Sequence, residues 1–118
     1  MFQINLTSKV PIYEQLYRKI MELMVKGVLK EDDQLPSVRT LAKDLGINPN
    51  TVMKAYQELE RNGIIYSIAG RGNFIAPMKD AVIYEKALSG FDQVVIDALK
   101  QGFSKEELIK RIEVLQYD

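Results

Sequence analysis

"LPSVRTLAKDLGINPNTVMKAYQELERNGIIYSIAGRGNFIA", residues 35–76, decides the fold. It carries two short amphipathic patterns back to back. Val38, Leu41, Ala42 and Leu45 fall at i, i+3, i+4 and i+7, the spacing of one helix face, and Val52, Ala55, Tyr56 and Leu59 repeat it. Ser37 stands where the first helix wants an N-cap, and Gly46 where its end wants a left-handed residue. Asn48 and Pro49 open the second helix. Proline suits the first helical position and pushes its predecessor toward the extended conformation of a cap. Two such helices across a turn of about three residues are the sequence form of a helix-turn-helix.

Working outward, "NG" at 62–63 closes the second helix, and two short apolar runs, 64–68 and 73–76, flank "AGRGN". Gly70 and Gly72 supply the positive φ a tight hairpin needs, and Pro77 ends its second strand. On the N-terminal side, Ile12, Leu16, Ile20, Leu23 and Met24 line one face of a helix expected from residue 12 to about 26, with Pro11 in its first turn and Gly27 at its end. The acidic "KEDDQ" at 30–34 is expected to be a solvated loop, and Glu31, Asp32 and Asp33 are better explained as solubilising charge than as a metal site. Beyond Pro77 the pattern is helical. Val94, Val95, Ala98 and Leu99 form a stripe that Gly102 ends. "SKEE" at 104–107 is a capping box opening a last helix, with Leu108, Ile109, Ile112 and Leu115 on one side. Gly90 either kinks one helix over 80–101 or separates a short helix from one capped by Ser89.

The fold class expected is therefore mainly α with a small β wing. Residues 1–77 form a winged helix-turn-helix domain and 78–118 a two-helix C-terminal dimerisation region. About 40 residues in two helices cannot bury both faces alone, so a second copy is the economical cover. Phe91, Val94, Val95, Ala98, Leu99, Leu108, Ile109, Ile112 and Leu115 are the residues expected at that seam.

Composition excludes much else. At 118 residues and 47% apolar, the chain holds one compact domain and a modest appendage. With neither Cys nor His, disulfides, thiol catalysis and the commonest metal ligands and general bases are missing. No cofactor, metal or enzymatic activity is expected. No apolar run approaches the roughly 18 residues of a membrane span, and no secretory pattern opens the chain, so no membrane partner and a cytoplasmic address are expected. Net charge is zero and the pI about 6.3. Residues 1–78 carry 10 Lys and Arg against 8 Asp and Glu, and residues 79–118 carry 6 against 8. So mild an asymmetry leaves the placement of single charges to speak.

That placement points to DNA. With its apolar side buried, the 49–61 helix leaves Asn50, Thr51, Met53 and Lys54 free at its start. Asn pairs in bidentate fashion with adenine, and Lys reaches guanine or phosphate. The preceding helix offers Ser37, Arg39, Thr40 and Lys43, and helix starts with hydroxyls suit phosphate oxygens. A hairpin directly after such a helix is a wing: its glycines let backbone approach a sugar-phosphate chain, and Arg71 would enter the minor groove or lie on phosphate. Each residue also has a plainer reading. Arg71, Lys43 and Lys54 suit a solvated surface, Gly70 and Gly72 suit turn geometry alone, and Tyr56 lies on the apolar stripe. A winged-helix module that docks protein without specific DNA binding is the alternative, and steep salt dependence separates the two.

"PIYEQLYRKI" at 11–20, the run 35–76 and the compact tail together resemble the GntR family of bacterial transcription regulators, in its short YtrA-type branch. The resemblance is close over residues 11–76. It implies a homodimeric, sequence-specific transcriptional regulator, a repressor, binding a palindromic double-stranded operator through helix 49–61 in the major groove and wing 64–76. It implies DNA contacts at Ser37, Arg39, Asn50, Thr51 and Lys54, at Tyr56 toward the DNA backbone, and at Gly70, Arg71 and Gly72. The family pattern often has Glu where this chain has Val38, which leaves Arg39 without one orienting partner. The chain is too short for the large ligand domains of longer relatives, and no motif nominates a small-molecule effector.

Overall fold

The computed structural model describes residues 2–117. In chain order the elements are α1 (Ile12–Val25), α2 (Val38–Leu45), α3 (Pro49–Arg61), β1 (Ile65–Ile68), β2 (Gly72–Ile75), α4 (Asp80–Ala87), α5 (Ser89–Lys100) and α6 (Lys105–Val114). The chain divides into two compact units, one reaching Ile83 and the other beginning at Tyr84.

The start and stop signals of α2 and α3 act as their chemistry requires. Ser37 Oγ accepts the Thr40 N–H at 3.0 Å, and Gly46 ends α2 at φ 67°. Asn48 Oδ1 accepts the Asn50 N–H at 2.8 Å, with Pro49 in the first helical position. α3 packs on both α1 and α2. Its Val52, Ala55 and Leu59 join Leu16, Ile20, Leu41, Ile64, Ile65 and Ile75 in one core. Burying side chains of this size contributes roughly 1.5–3 kcal/mol each. That commitment of one face turns the polar side of α3 outward.

The wing is antiparallel, pairing Ile65 with Ile75, Tyr66 with Phe74, Ser67 with Asn73 and Ile68 with Gly72. β1 begins one residue later than the apolar run, because the Ile64 N–H still bonds Leu59 O at 2.9 Å and closes α3. The acidic stretch is exposed turn and coil, as its composition suggests, but its backbone is tied to the wing. Asp32 N–H donates to Ile75 O at 2.7 Å, Ile75 N–H to Asp33 O at 2.9 Å and Leu35 N–H to Asn73 O at 2.8 Å. Gln34 forms an isolated antiparallel bridge with Phe74, so residues 33–35 run along β2 beside the two-stranded hairpin. Asp32 sits at φ 65°, unusual for a residue with a β-carbon, and its Oδ1 accepts the Tyr66 hydroxyl at 2.7 Å. That hydrogen bond to a carboxylate raises the Tyr66 pKa above its ordinary value.

Three helices follow the wing, not two. The break falls at Leu88, so α5 begins at Ser89 without a side-chain cap and Gly90 lies inside its first turn. The segment 80–101 is thus divided and not kinked, with the cap at Leu88 in place of the expected Ser89. The capping box of α6 is present. Ser104 Oγ accepts the Glu107 N–H at 3.1 Å, Glu107 Oε1 accepts the Ser104 N–H at 3.0 Å, and these bonds hold the Glu107 carboxyl below its usual pKa.

Candidate nucleic-acid interface

The sequence-predicted contacts fall at the starts of α2 and α3 and on the wing, except that Lys43 stands in the last turn of α2 and not at its start. Ser37, Arg39, Thr40, Lys43, Asn50, Lys54, Gly70 and Arg71 are exposed, and Thr51 and Gly72 are half-buried. Among the described residues the ion pairs lie elsewhere: Arg18 with Glu14, Lys19 and Lys26 with Glu22, and Arg61 with Glu58. Hydrogen bonds from Lys19 and Lys26 pull the Glu22 carboxyl down to about 2. Arg39, Lys43, Lys54 and Arg71 have no such carboxylate. The acids of α3, Glu58 and Glu60, sit at its far end, where Glu60 accepts the Ser67 hydroxyl at 2.8 Å. The helix thus presents polar and cationic groups at its start and carboxylates at its end.

At the α2 start, Ser37 also gives its hydroxyl proton to Thr40 Oγ1 at 2.8 Å. The Thr40 proton is left for an outside acceptor. Val38, where an acid would have stood beside Arg39, packs against the core instead.

Tyr56 departs from the expected contact set. It is only 4% exposed, and its hydroxyl donates to Pro36 O at 2.6 Å. The side chain belongs to the core and ties α3 to the residue ahead of the α2 cap. Burial raises the pKa of its phenol. The neutral form's contribution is therefore complete below the ordinary tyrosine value of about 10 and lost as pH rises toward the elevated one. Tyr56→Phe is expected to cost about 0.5–1.5 kcal/mol at neutral pH, the usual worth of one hydrogen bond. Urea titrations at pH 7 and near pH 11 should show the gap between variant and wild type narrowing at the higher pH.

Two residues outside the predicted set organise this surface. The Lys54 ammonium lies 4.0 Å from the centre of the Tyr13 ring, a cation–π contact from α1 to α3. Tyr13 falls outside the α1 apolar stripe, which was the only signal available for it. Gln34 Nε2 donates to Arg71 O at 2.8 Å and holds the wing tip from the neighbouring segment. Gly72 sits at φ 118°, which favours glycine, and a β-carbon there would stand 3.0 Å from Gln34 Nε2, the group that holds the wing tip. The stacked Tyr66 and Phe74 rings, 5.5 Å between centroids, stiffen the hairpin below. A groove of about 500 Å³ brings Ser37 together with Gly70, Arg71 and Gly72.

A family model for bacterial regulatory proteins of the gntR family matches residues 12–75, from α1 through β2. The chain belongs to the GntR family. It is 42% identical over 122 residues to the HTH-type transcriptional repressor YtrA of Bacillus subtilis (strain 168), spanning 100% of this chain and 94% of that relative. Among solved structures it resembles a transcriptional antiterminator from Listeria monocytogenes EGD-e, with TM-score 0.75 and 41% identity over 96% of this chain and 87% of the other. It also resembles AraR(DBD), solved in complex with operator ORE1, with TM-score 0.54 and 31% identity over 64% of this chain and 95% of that one. The protein is thus a GntR-type helix-turn-helix DNA-binding regulator. The first two likenesses run on through the C-terminal helices.

Those helices leave much of this GntR-family chain's apolar surface uncovered. Neither α5 nor α6 contains a fully buried residue. Phe91, Val94, Ile109, Ile112 and Leu115 are exposed, while Val95, Ala98, Leu99 and Leu108 are half-buried. Leu88, Ile96, Phe103 and Val114 are exposed as well, though the sequence reading did not single them out. A groove of about 600 Å³ between α5 and α6 is lined by Val94, Ala98, Phe103, Leu108 and Val114.

Proposed function

We propose that this GntR-family protein is a homodimeric, sequence-specific repressor acting in the cytoplasm. Each copy lays the start of α3 in the major groove and sets its wing against the adjacent minor groove. The carrying observation is that Arg39 and Lys43 on α2, Lys54 on α3 and Arg71 at the wing tip stand exposed and, among the described residues, without carboxylate partners. Arg39 forks onto a guanine edge or a phosphate, Asn50 faces a base, Ser37, Thr40, Thr51 and Lys43 meet phosphates, and Lys54 holds its ammonium beside Tyr13 within reach of the duplex. The wing places Gly70 and Gly72 near the sugar-phosphate chain and Arg71 in the minor groove. Tyr56 acts behind this surface, through Pro36.

The exposed apolar faces of α5 and α6 support a twofold partner, and a twofold protein calls for a palindromic operator with half-sites about one helical turn or a multiple apart. Occupying such a site blocks polymerase, the simplest route to repression. Selection of bound sequences from a random duplex pool should enrich a twofold-symmetric site. A pool that stays unenriched overturns the reading. On the enriched site, Arg39→Ala should cost on the order of 1–3 kcal/mol and relax discrimination at one base pair of each half. Titration against single-base variants of the site measures this, and undiminished affinity with intact discrimination would take Arg39 out of the interface.

A further inference from the structure

We infer that Met53 recognises a thymine methyl group in the major groove, a specificity contact that rests on the DNA-binding reading above. Met53 is 44% exposed, although α3 buries its apolar stripe completely through Val52, Ala55 and Leu59. Its place in the helical period explains where it stands. Counting 3.6 residues per turn, it lies one turn from Asn50, three residues before, and from Gln57, four after, on the flank of the exposed side about 110° from the centre of the buried stripe. Asn50, Lys54 and Gln57 are all exposed polar residues, so Met53 is the apolar member of a polar surface at the front half of the helix. Among the described residues, the other exposed large apolar side chains ahead of Pro77 are Leu6, Val28 and Ile68, none of them on α2 or α3.

In the major groove, the one apolar feature of a base edge is the thymine C5 methyl, and an apolar side chain is its matching contact. A long, unbranched and polarizable thioether adapts to such a target better than a β-branched residue. Asn50 and Gln57, one turn either side, are the residue types that pair with adenine, the partner of thymine.

The test removes only the methyl. Each thymine of the selected operator is replaced in turn by uracil, and binding of wild type, Met53→Ala and Met53→Leu is titrated. Wild type and Met53→Leu are expected to lose about two- to fivefold at one thymine of each half-site, the scale of one buried methyl. Met53→Ala is expected to bind the thymine and uracil operators alike at that position, with an unchanged urea midpoint. Indifference of the wild type to every uracil, or a thymine preference that survives Met53→Ala, overturns the inference while leaving operator recognition in place. A protein with no preferred operator fails this inference and the proposed function together.

Discussion

A protein carrying Val94→Glu and Ile112→Glu is expected to sediment as a monomer and to bind its operator about 10²- to 10⁴-fold more weakly than wild type. That range is what linking two binding units contributes by converting the second contact into an intramolecular one. Val94 is 69% exposed on α5 and Ile112 is exposed on α6, so neither carboxylate strains an isolated chain. At a seam between copies the same two charges lose water without a partner, which costs several kcal/mol per ion. The urea midpoint of the helix-turn-helix unit should not move. If instead the variant stays dimeric at micromolar concentration and unfolds early, the apolar stripes serve the single chain and not a partner.

The second large effect concerns the helix that carries the contacts. Leu59→Ala is expected to destabilise the protein by about 2–5 kcal/mol, through lost transfer energy and the cavity left behind. Leu59 is 0% exposed, in the core that α3 shares with α1 and α2, and the surrounding Leu16, Ile20 and Val52 are as deeply buried. Domains of this kind are stable by only about 5–15 kcal/mol, so a shift of this size is a large share of the total. Because the side chain never reaches the polar face of α3, operator affinity measured well below the melting temperature should stay near wild type. A loss under 1 kcal/mol in urea titration would mean that the α1–α3 contact does not hold the helix.

What the sequence made legible was local. Ser37, Gly46, Asn48 with Pro49, and the Ser104–Glu107 box declare themselves because each acts on backbone within four residues of itself. The stripes on α1, α2 and α3 are legible for a related reason, since a buried face must repeat with the helical period. The missed features all join distant segments. The pairing of residues 32–35 with β2, the Tyr66–Asp32 bond, Gln34 on the Arg71 carbonyl, Lys54 on Tyr13 and Tyr56 on Pro36 depend on tertiary placement, which no local pattern encodes. Acidic composition points to a solvated loop at 30–34, which it is, but its bonds to β2 use backbone groups that composition does not reveal. The division near Gly90 was one of two readings the sequence left open, and the cap falls at Leu88, one residue before Ser89, because Gly90 tolerates the first turn of α5.

The site was legible as a set of residue types more than as a geometry. Arg39, Asn50, Lys54 and Arg71 were nominated for their donors, and the structure leaves all four exposed. Tyr56, which the sequence offers both as a backbone contact and as a core residue of the apolar stripe, is core, its hydroxyl satisfied from within by Pro36 O. The wing's stiffness, which fixes where Arg71 can reach, was invisible until Gln34 and the Tyr66–Phe74 stack were seen.

The central claim is that two copies of the α3 start enter the major groove of one duplex. Methylation interference on the selected operator tests it most directly, since methyl groups on guanine N7 lie in the major groove and those on adenine N3 in the minor. The account predicts two clusters of guanine interference about one helical turn or a multiple apart, related by twofold symmetry, each flanked by adenine interference that Arg71→Ala abolishes. Binding that tolerates every guanine methyl, or interference confined to a single cluster, would contradict it.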